Sequence, residues 1–328
     1  MSTQSELAVR RPTPLNRAPS GPRRIATKIR SKPPAYRRRV LWALMLPAVL
    51  LEVLVYVVPI LAGVFTSFTK VNQFTIRDWF NAPFAGFDNF RLILGSAAVG
   101  GPILRSLLLS LAYVAVVVTT SLFIGFVATV FVRSLKRSRF FQVFFVIPYA
   151  VPVYAGVLAW DFAFQGNGAV NTLLHTNLKL TGDVLYLQDP FAFSSLVITA
   201  MWRTWPFVFL MMLAATSNIA TELFEAIQVD GGGRWAEVRH VILPHVAPTV
   251  GVLALLLFVW NFNDFVTPFV FFGQIAPQSG NLFLLNTYTT TFVSFAYSVG
   301  AAITLMAVIV LALFIVFPYV KLTKLGDQ

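Results

Sequence analysis

Six stretches of the chain, at about residues 41–67, 102–132, 140–164, 192–216, 248–272 and 292–319, are apolar over lengths beyond the ~18 residues that suggest a bilayer span. A water-soluble core cannot hide that many long apolar helices. Only 12% of the residues are charged, against roughly 25% in a soluble domain. The sequence therefore reads as an all-α integral membrane protein with six transmembrane helices.

The side each loop faces is set by the Lys and Arg residues. Residues 1–40 hold eleven, from Arg10 to Arg39, against the single acid Glu6. Loop 133–139 holds Arg133, Lys136, Arg137 and Arg139, the insert between spans four and five holds Arg234 and Arg239, and the C-terminal segment holds Lys321 and Lys324. Nineteen of the 25 cations thus fall on one side of a six-span path, which places both termini in the cytoplasm. The arm 1–40 is rich in Pro and Ser and is expected to be disordered. It runs directly into the first span, so it reads as a cytoplasmic anchor facing anionic lipid, not as a nucleic-acid-binding arm. The first apolar run is too long for a cleaved signal peptide and lacks a small-residue cleavage site. Residues 41–320 form one membrane domain, and 321–328 a short cytoplasmic tail. The absence of cysteine excludes disulfides and thiolate ligands. His175, His240 and His245 share no metal-ligand spacing, and no metal site is expected.

The polar insert, residues 217–247, lies between two apolar runs. Ile219, Leu223, Ala226 and Ile227 recur at helical steps on one face. Asp230-Gly231-Gly232-Gly233 then ends the helix, since glycine accepts the left-handed dihedrals of a tight reversal. A second helix is expected from Arg234-Trp235 to just before Pro244, with Pro244 and Pro248 leading into span five. No Gly-Lys-Ser/Thr comes after the glycines and no strand precedes them, which argues against a phosphate cradle. Spacing alone leaves two readings of the insert: a plain amphipathic loop helix, or a helix that docks a soluble partner.

The run from Glu225 to Pro244 resembles the EAA signature of permease subunits in binding-protein-dependent ABC importers: Glu-Ala-Ala, three residues, Gly, nine residues, Ile-x-Leu-Pro. Glu225, Ala226, Gly231, Leu243 and Pro244 match in register. Val241 takes the Ile place, Ile227 replaces the second Ala, and Gly232-Gly233 stands where Gly-Ala or similar is usual. Residues 166–174, Trp202, Asn263-Asp264-Phe265 and the stretch from Thr287-Tyr288 to Gly300-Ala301-Ala302 are similar to the carbohydrate-uptake branch, and within it to the maltose "F"-type subunit. The resemblance covers about residues 40–324.

The resemblance implies a non-catalytic permease subunit of the bacterial plasma (inner) membrane, whose insert is the coupling helix seated in a cleft on an ATPase. Glu225, Ala226, Asp230, Gly231, Leu243 and Pro244 would make that junction, Glu225 as a charged contact and Gly231 as the turn. The implied partners are a second homologous permease, two ATP-binding subunits and an extracytoplasmic solute-binding protein. ATP and Mg²⁺ would sit on the ATPases, and this chain would bind no cofactor. The implied cargo is a sugar or related polyhydroxylated solute. Polyamine or glycerol-phosphate-type permeases share the insert and stand as the alternative. A secondary transporter would not need the insert, and an integral-membrane enzyme would need a convergent His, Ser or carboxylate constellation that the sequence does not offer.

Four ionisable side chains fall inside spans: Glu52, Asp161, Arg203 and Asp264. Each costs at least ~2.5–3.5 kcal/mol at bilayer depth unless it faces protein, water or a partner. Asn261, Asn263 and Asp264 cluster beside Trp260 on span five. Two readings compete there. One is a structural ion pair, Arg203 with Glu52 or Asp264. The other is a solute path lined by Trp260, Asn261, Asn263, Asp264, Arg203 and Asp161, since sugars need planar donors and acceptors beside aromatic faces. A lining role predicts that Asp264→Ala impairs transport more than assembly.

Overall fold

A computed structural model of the chain describes residues 35–135, 138–180 and 182–326. The expected basic arm up to residue 34, Lys136, Arg137 and the last two residues lie outside the described residues. The chain divides into two units, Met1–Val57 and Val58–Gln328. In the first, α1 (Ala35–Glu52) leads into a π-helical turn at Val53–Val57. Helix α1 already includes Ala35, ahead of the expected start at residue 41, and carries Pro47 in its interior.

The second unit is also helical, with no strand among the described residues and an isolated bridge between Thr69 and Phe84. Its elements are α2 (Val58–Ser67), α3 (Asp88–Gly95), α4 (Ala97–Arg133), α5 (Ser138–Ala150), α6 (Val153–Phe164), the single turn α7 (Ala169–Asn171), α8 (Ala192–Ser217), α9 (Thr221–Val229), α10 (Arg234–Glu237), α11 (Leu243–Phe262), α12 (Val266–Phe272), α13 (Phe283–Tyr288) and α14 (Tyr297–Gly326).

Among the described residues four helical paths are long and apolar enough to cross a membrane: Val40–Ser67, Ala97–Arg133, Ala192–Ser217 and Arg234–Phe272. The stretch expected as a continuous third span is instead a pair, α5 and α6, bent by 88°. Pro152 explains the break: it cannot donate to the preceding turn, and it pushes Val151 away from helical dihedrals. If the bent pair crosses once it makes a fifth span. A further apolar helix runs from Tyr297 to Ala312, within α14.

Helix α4 is the spine of this unit. Ser110, Tyr113, Val114, Val117, Ser121, Gly125, Thr129 and Val132 form a buried stripe at helical spacing. The stripe meets Leu196, Ala200, Val208, Phe209 and Met212 of α8, and Leu253 and Leu257 of α11 complete the core. Lipid gives apolar side chains no reason to leave it, so helices in a bilayer associate through close backbone approach at small residues. Ser121, Gly125 and Thr129, at four-residue steps, supply that approach. A Cβ placed on Gly125 would lie 2.6 Å from Val208 Cγ1 and 3.0 Å from the Phe209 backbone nitrogen. Thr129 Oγ1 donates to the Gly125 carbonyl at 2.8 Å and keeps its own hydroxyl satisfied within the seam. Gly125→Leu is expected to cost ~1–3 kcal/mol through overpacking, read as a lower thermal midpoint in detergent; an unchanged midpoint would show that this crossing does not hold the two helices.

The ends of the helices remote from the insert are tied by side chains. Asn89 Nδ2 donates to the carbonyls of Ser67 and Thr69 at 2.8 and 2.9 Å. Ser298 Oγ accepts the Val71 N–H at 2.7 Å. Asn171 donates to the carbonyls of Gly166 and Val184 and accepts the Val184 N–H, closing the loop after α6. Asp189 accepts the backbone N–H groups of Gln278 and Ser279 and the Ser279 hydroxyl. Those hydrogen bonds, the Ser279 hydroxyl first, hold its carboxyl below the ordinary carboxylate range, and Arg105 adds to the effect.

Candidate functional site

Two features of the second unit stand out as functional geometry: the exposed elbow between α9 and α10, and a cavity between two interrupted helices.

The elbow is a Schellman motif. Helix α9 ends at Val229, Gly231 takes the left-handed conformation at φ +76°, the Gly232 N–H bonds the Ile227 carbonyl at 2.8 Å, and the Gly231 N–H bonds the Gln228 carbonyl at 3.1 Å. Gly232 cannot carry a side chain without contact, since a Cβ there would meet Ile227 Cγ2 at 2.5 Å. Gly231 itself has open space around it, so its constraint is the dihedral and not crowding. Gly233 caps α10 in an extended conformation.

Around this turn Glu225, Ala226, Asp230 and Gly231 are all exposed, and Val229 is 87% exposed. Half-buried on the opposite face are Phe224 and Ile227. The inward face of α9 is thus Phe224 and Ile227; Leu223 and Ala226, expected there, point to solvent. Helix α10 does not stop before Pro244. It passes through a π-helical turn, Val238–Ile242, straight into α11, with the Leu243 N–H reaching back to the Val238 carbonyl. Pro244 has no N–H to donate, and the wide turn and helix start before it are where that loss is tolerated. Leu243 and Pro244 are exposed at the start of α11, while Val241 and Ile242 are buried.

The second feature is a cavity of about 360 Å³. Tyr149, Val151 and Val153 line it from the α5–α6 bend. Arg203, Thr204 and Phe207 line it from α8, and Trp260, Asn261, Asn263, Asp264 and Phe265 from the junction of α11 and α12. That junction is a second interruption, because α11 ends at Phe262 and α12 begins at Val266. Irregular backbone at membrane depth is tolerated where it is packed in protein or borders a wet cavity, and both interruptions border this one. Tyr149, Phe207 and Trp260 form an aromatic wall with centroid separations of 5.6 and 5.1 Å.

Of the residues read from the sequence as a solute path, the structure brings Trp260, Asn261, Asn263, Asp264 and Arg203 together on this cavity. Asp161 is not among the lining residues; it lies on α6, half-buried, with Gln165 Nε2 at 3.4 Å. Glu52 belongs to the first unit. Asn261 and Asn263 each donate to a carbonyl one turn back on their own helix, Leu257 and Val259. Tyr149 and Phe207 carry no signal in the sequence that would single them out. Among the described residues no cluster of His, Cys, Asp and Glu could hold a metal ion.

Asp264 is held on all sides. Its Oδ2 accepts from Arg203 Nη2 at 3.0 Å, from the Tyr113 hydroxyl at 3.1 Å and from Thr267 Oγ1 at 2.6 Å, and its Oδ1 accepts the Thr267 backbone N–H at 3.2 Å. The last contact caps the start of α12 in the manner of an N-cap carboxylate. The side chain of Asp264 is 4% exposed and that of Arg203 21%. The pair joins α8 to the break in span five, with Tyr113 bringing in α4. Of the two readings of the span-five charges, the ion pair is present, and it stands at the cavity's edge.

Residues 121–321 match the protein family described as "binding-protein-dependent transport system inner membrane component". The chain is 25% identical over 277 residues to the maltodextrin transport system permease protein MdxF of Bacillus subtilis, covering 80% of this chain and 64% of that one. It is 29% identical over 288 residues to the trehalose transport system permease protein SugA of Mycobacterium tuberculosis, covering 87% and 89%. It is 26% identical over 279 residues to the diacetylchitobiose uptake system permease protein DasB of Streptomyces coelicolor, covering 82% of each. In fold it is similar to a chain of a bacterial ABC transporter involved in the import of the acidic polysaccharide alginate, with a TM-score of 0.74 at 18% identity, covering 88% of this chain and 96% of that one.

Proposed function

The chain belongs to the binding-protein-dependent transport system inner membrane component family, and from that premise we propose that it is a permease subunit of an ABC importer for an oligosaccharide or related polyhydroxylated solute. The relatives named for maltodextrin, trehalose and diacetylchitobiose transport support this cargo class. The subunit is of the maltose "F" type, with six spans and both termini in the cytoplasm. It lies in the bacterial inner membrane and pairs with a second permease over two ATPase subunits. An extracytoplasmic binding protein delivers the solute. ATP is hydrolysed on the partners.

The observation that carries the reading is the exposed elbow at Gly231. A membrane protein that displays a rigid, left-handed turn between two short polar helices offers a soluble motor something to grip. Glu225, Ala226 and Asp230 form the gripped face, with Leu243 and Pro244 at its base. Closure of the ATPases moves the elbow. The interruptions at Val151-Pro152 and Asn263–Phe265 are where the spans give, and the cavity between them is the solute path. Trp260, Phe207 and Tyr149 present ring faces to the sugar, while Arg203, Asn261 and Asn263 supply planar polar groups.

The test is reconstitution with the second permease, the ATPases and the binding protein in liposomes. ATP-dependent uptake of labelled oligosaccharide is expected only when all are present. Trp260→Ala should slow uptake about tenfold, equivalent to ~1.4 kcal/mol, with the complex still assembled. Uptake that proceeds without the ATPases, or that tracks an ion gradient instead, would replace this reading with a secondary transporter.

A further inference from the structure

Arg133 is the last residue of α4, and its guanidinium makes two contacts at once. Its Cζ lies 5.1 Å above the ring centroid of Phe224 on α9. Its Nη1 donates at 2.9 Å to the carbonyl of Thr216, at the end of α8. The last carbonyls of a helix lack intrahelical partners and carry the negative end of its dipole. The cation bonds the end of α8 and stands at the negative end of α4. The planar guanidinium can stack on a ring through its face while donating in its plane, a combination that a lysine ammonium cannot offer.

We propose that Arg133 is a positioning residue that carries displacement of α9 into α4 and α8. The inference rests on the reading of α9 as the docking helix. Helix α9 is reached from opposite sides: Glu225, Val229 and Asp230 face outward, and Phe224 faces Arg133. Along the chain α9 is joined to its neighbours through short non-helical links, residues 218–220 on one side and the glycine turn on the other. The link at 218–220 lets α9 swing relative to α8, while the Schellman turn holds α9 to α10. The Arg133–Phe224 contact bypasses that link. It delivers movement to the end of α4, which is locked to α8 at the Gly125 crossing. With the contact removed, the ATPases still grip α9 and still turn over, but α4 and α8 no longer move with it.

The experiment uses the complete transporter in liposomes, comparing Arg133→Gln and the milder Phe224→Leu with the unaltered protein. Each is expected to raise ATP hydrolysed per solute imported by about fivefold or more, the scale of a typical coupling energy. The double variant should be no worse than either alone, because both remove one contact. The chain has no cysteine of its own, so Val229→Cys gives a single site for cross-linking α9 to an ATPase. That cross-link should form equally with and without the Arg133 change. An unchanged ratio with the cross-link intact overturns the inference alone, as does a parallel fall of uptake and hydrolysis. No cross-link even with Arg133 in place overturns the docking reading and this inference with it.

Discussion

Valine in place of Gly231 is expected to leave the protein in the membrane at ordinary abundance and to abolish import. Gly231 sits at φ +76°, where a side chain costs ~1–2 kcal/mol and a β-branched one more. That strain is small beside the packing of α4, α8 and α11, so insertion survives. The local cost is large, because the Schellman bonds from Gly231 and Gly232 fix how α9 leaves the turn. A relaxed turn re-aims Glu225 and Asp230 away from their receptor. Asparagine tolerates the left-handed region and should retain most of the uptake. Immunoblots of membranes and uptake of labelled sugar separate the two outcomes. Full uptake by the valine variant would show that the elbow transmits nothing.

The second large effect is at Asp264. Removing its carboxylate leaves Arg203 largely buried without a counter-ion and strips partners from Tyr113 and Thr267. Breaking a buried pair from one side costs ~3–5 kcal/mol, enough to lower the yield of assembled complex on size-exclusion chromatography. The bonds at Asp264 therefore reverse the expectation that its loss would harm transport more than assembly. Replacing both partners by apolar residues, Arg203→Met with Asp264→Leu, should recover most of the assembled protein. It should not recover import, since Arg203 also lines the cavity. Full assembly of Asp264→Ala with import alone lost would mean that the carboxylate faces the solute.

How far the sequence foretells these features depends on the range of each interaction. The spans and the elbow are local: run length sets the first, and Gly231 with its neighbours sets the second. The Asn263-Asp264 pair is visible, but within an apolar run its polarity looks like lining on an unbroken helix. The helix stops there because Asp264 caps α12, a contact whose partners on α4 and α8 are far away in sequence. Tyr113 gives no local signal, since an aromatic residue among valines is ordinary lipid-facing or core material until its hydroxyl finds Asp264. Tyr149 and Phe207 join Trp260 only through the fold. The α5–α6 bend does leave a trace in Pro152, which the apolar run around it masks. The inward face of α9 turns on Phe224, whose partner Arg133 lies on another helix, so periodicity alone favours Leu223 and Ala226.

The Gly125 seam also fixes what stays still. With Val208 and the Phe209 backbone this near, α4 and α8 have no slack to slide past one another, and they turn as a single piece. Flexing is left to the stretches around Val151 and Asn263, which flank the cavity on either side. The cavity can then widen or narrow by rotation about those two pivots, without unpacking the interior that keeps the chain folded.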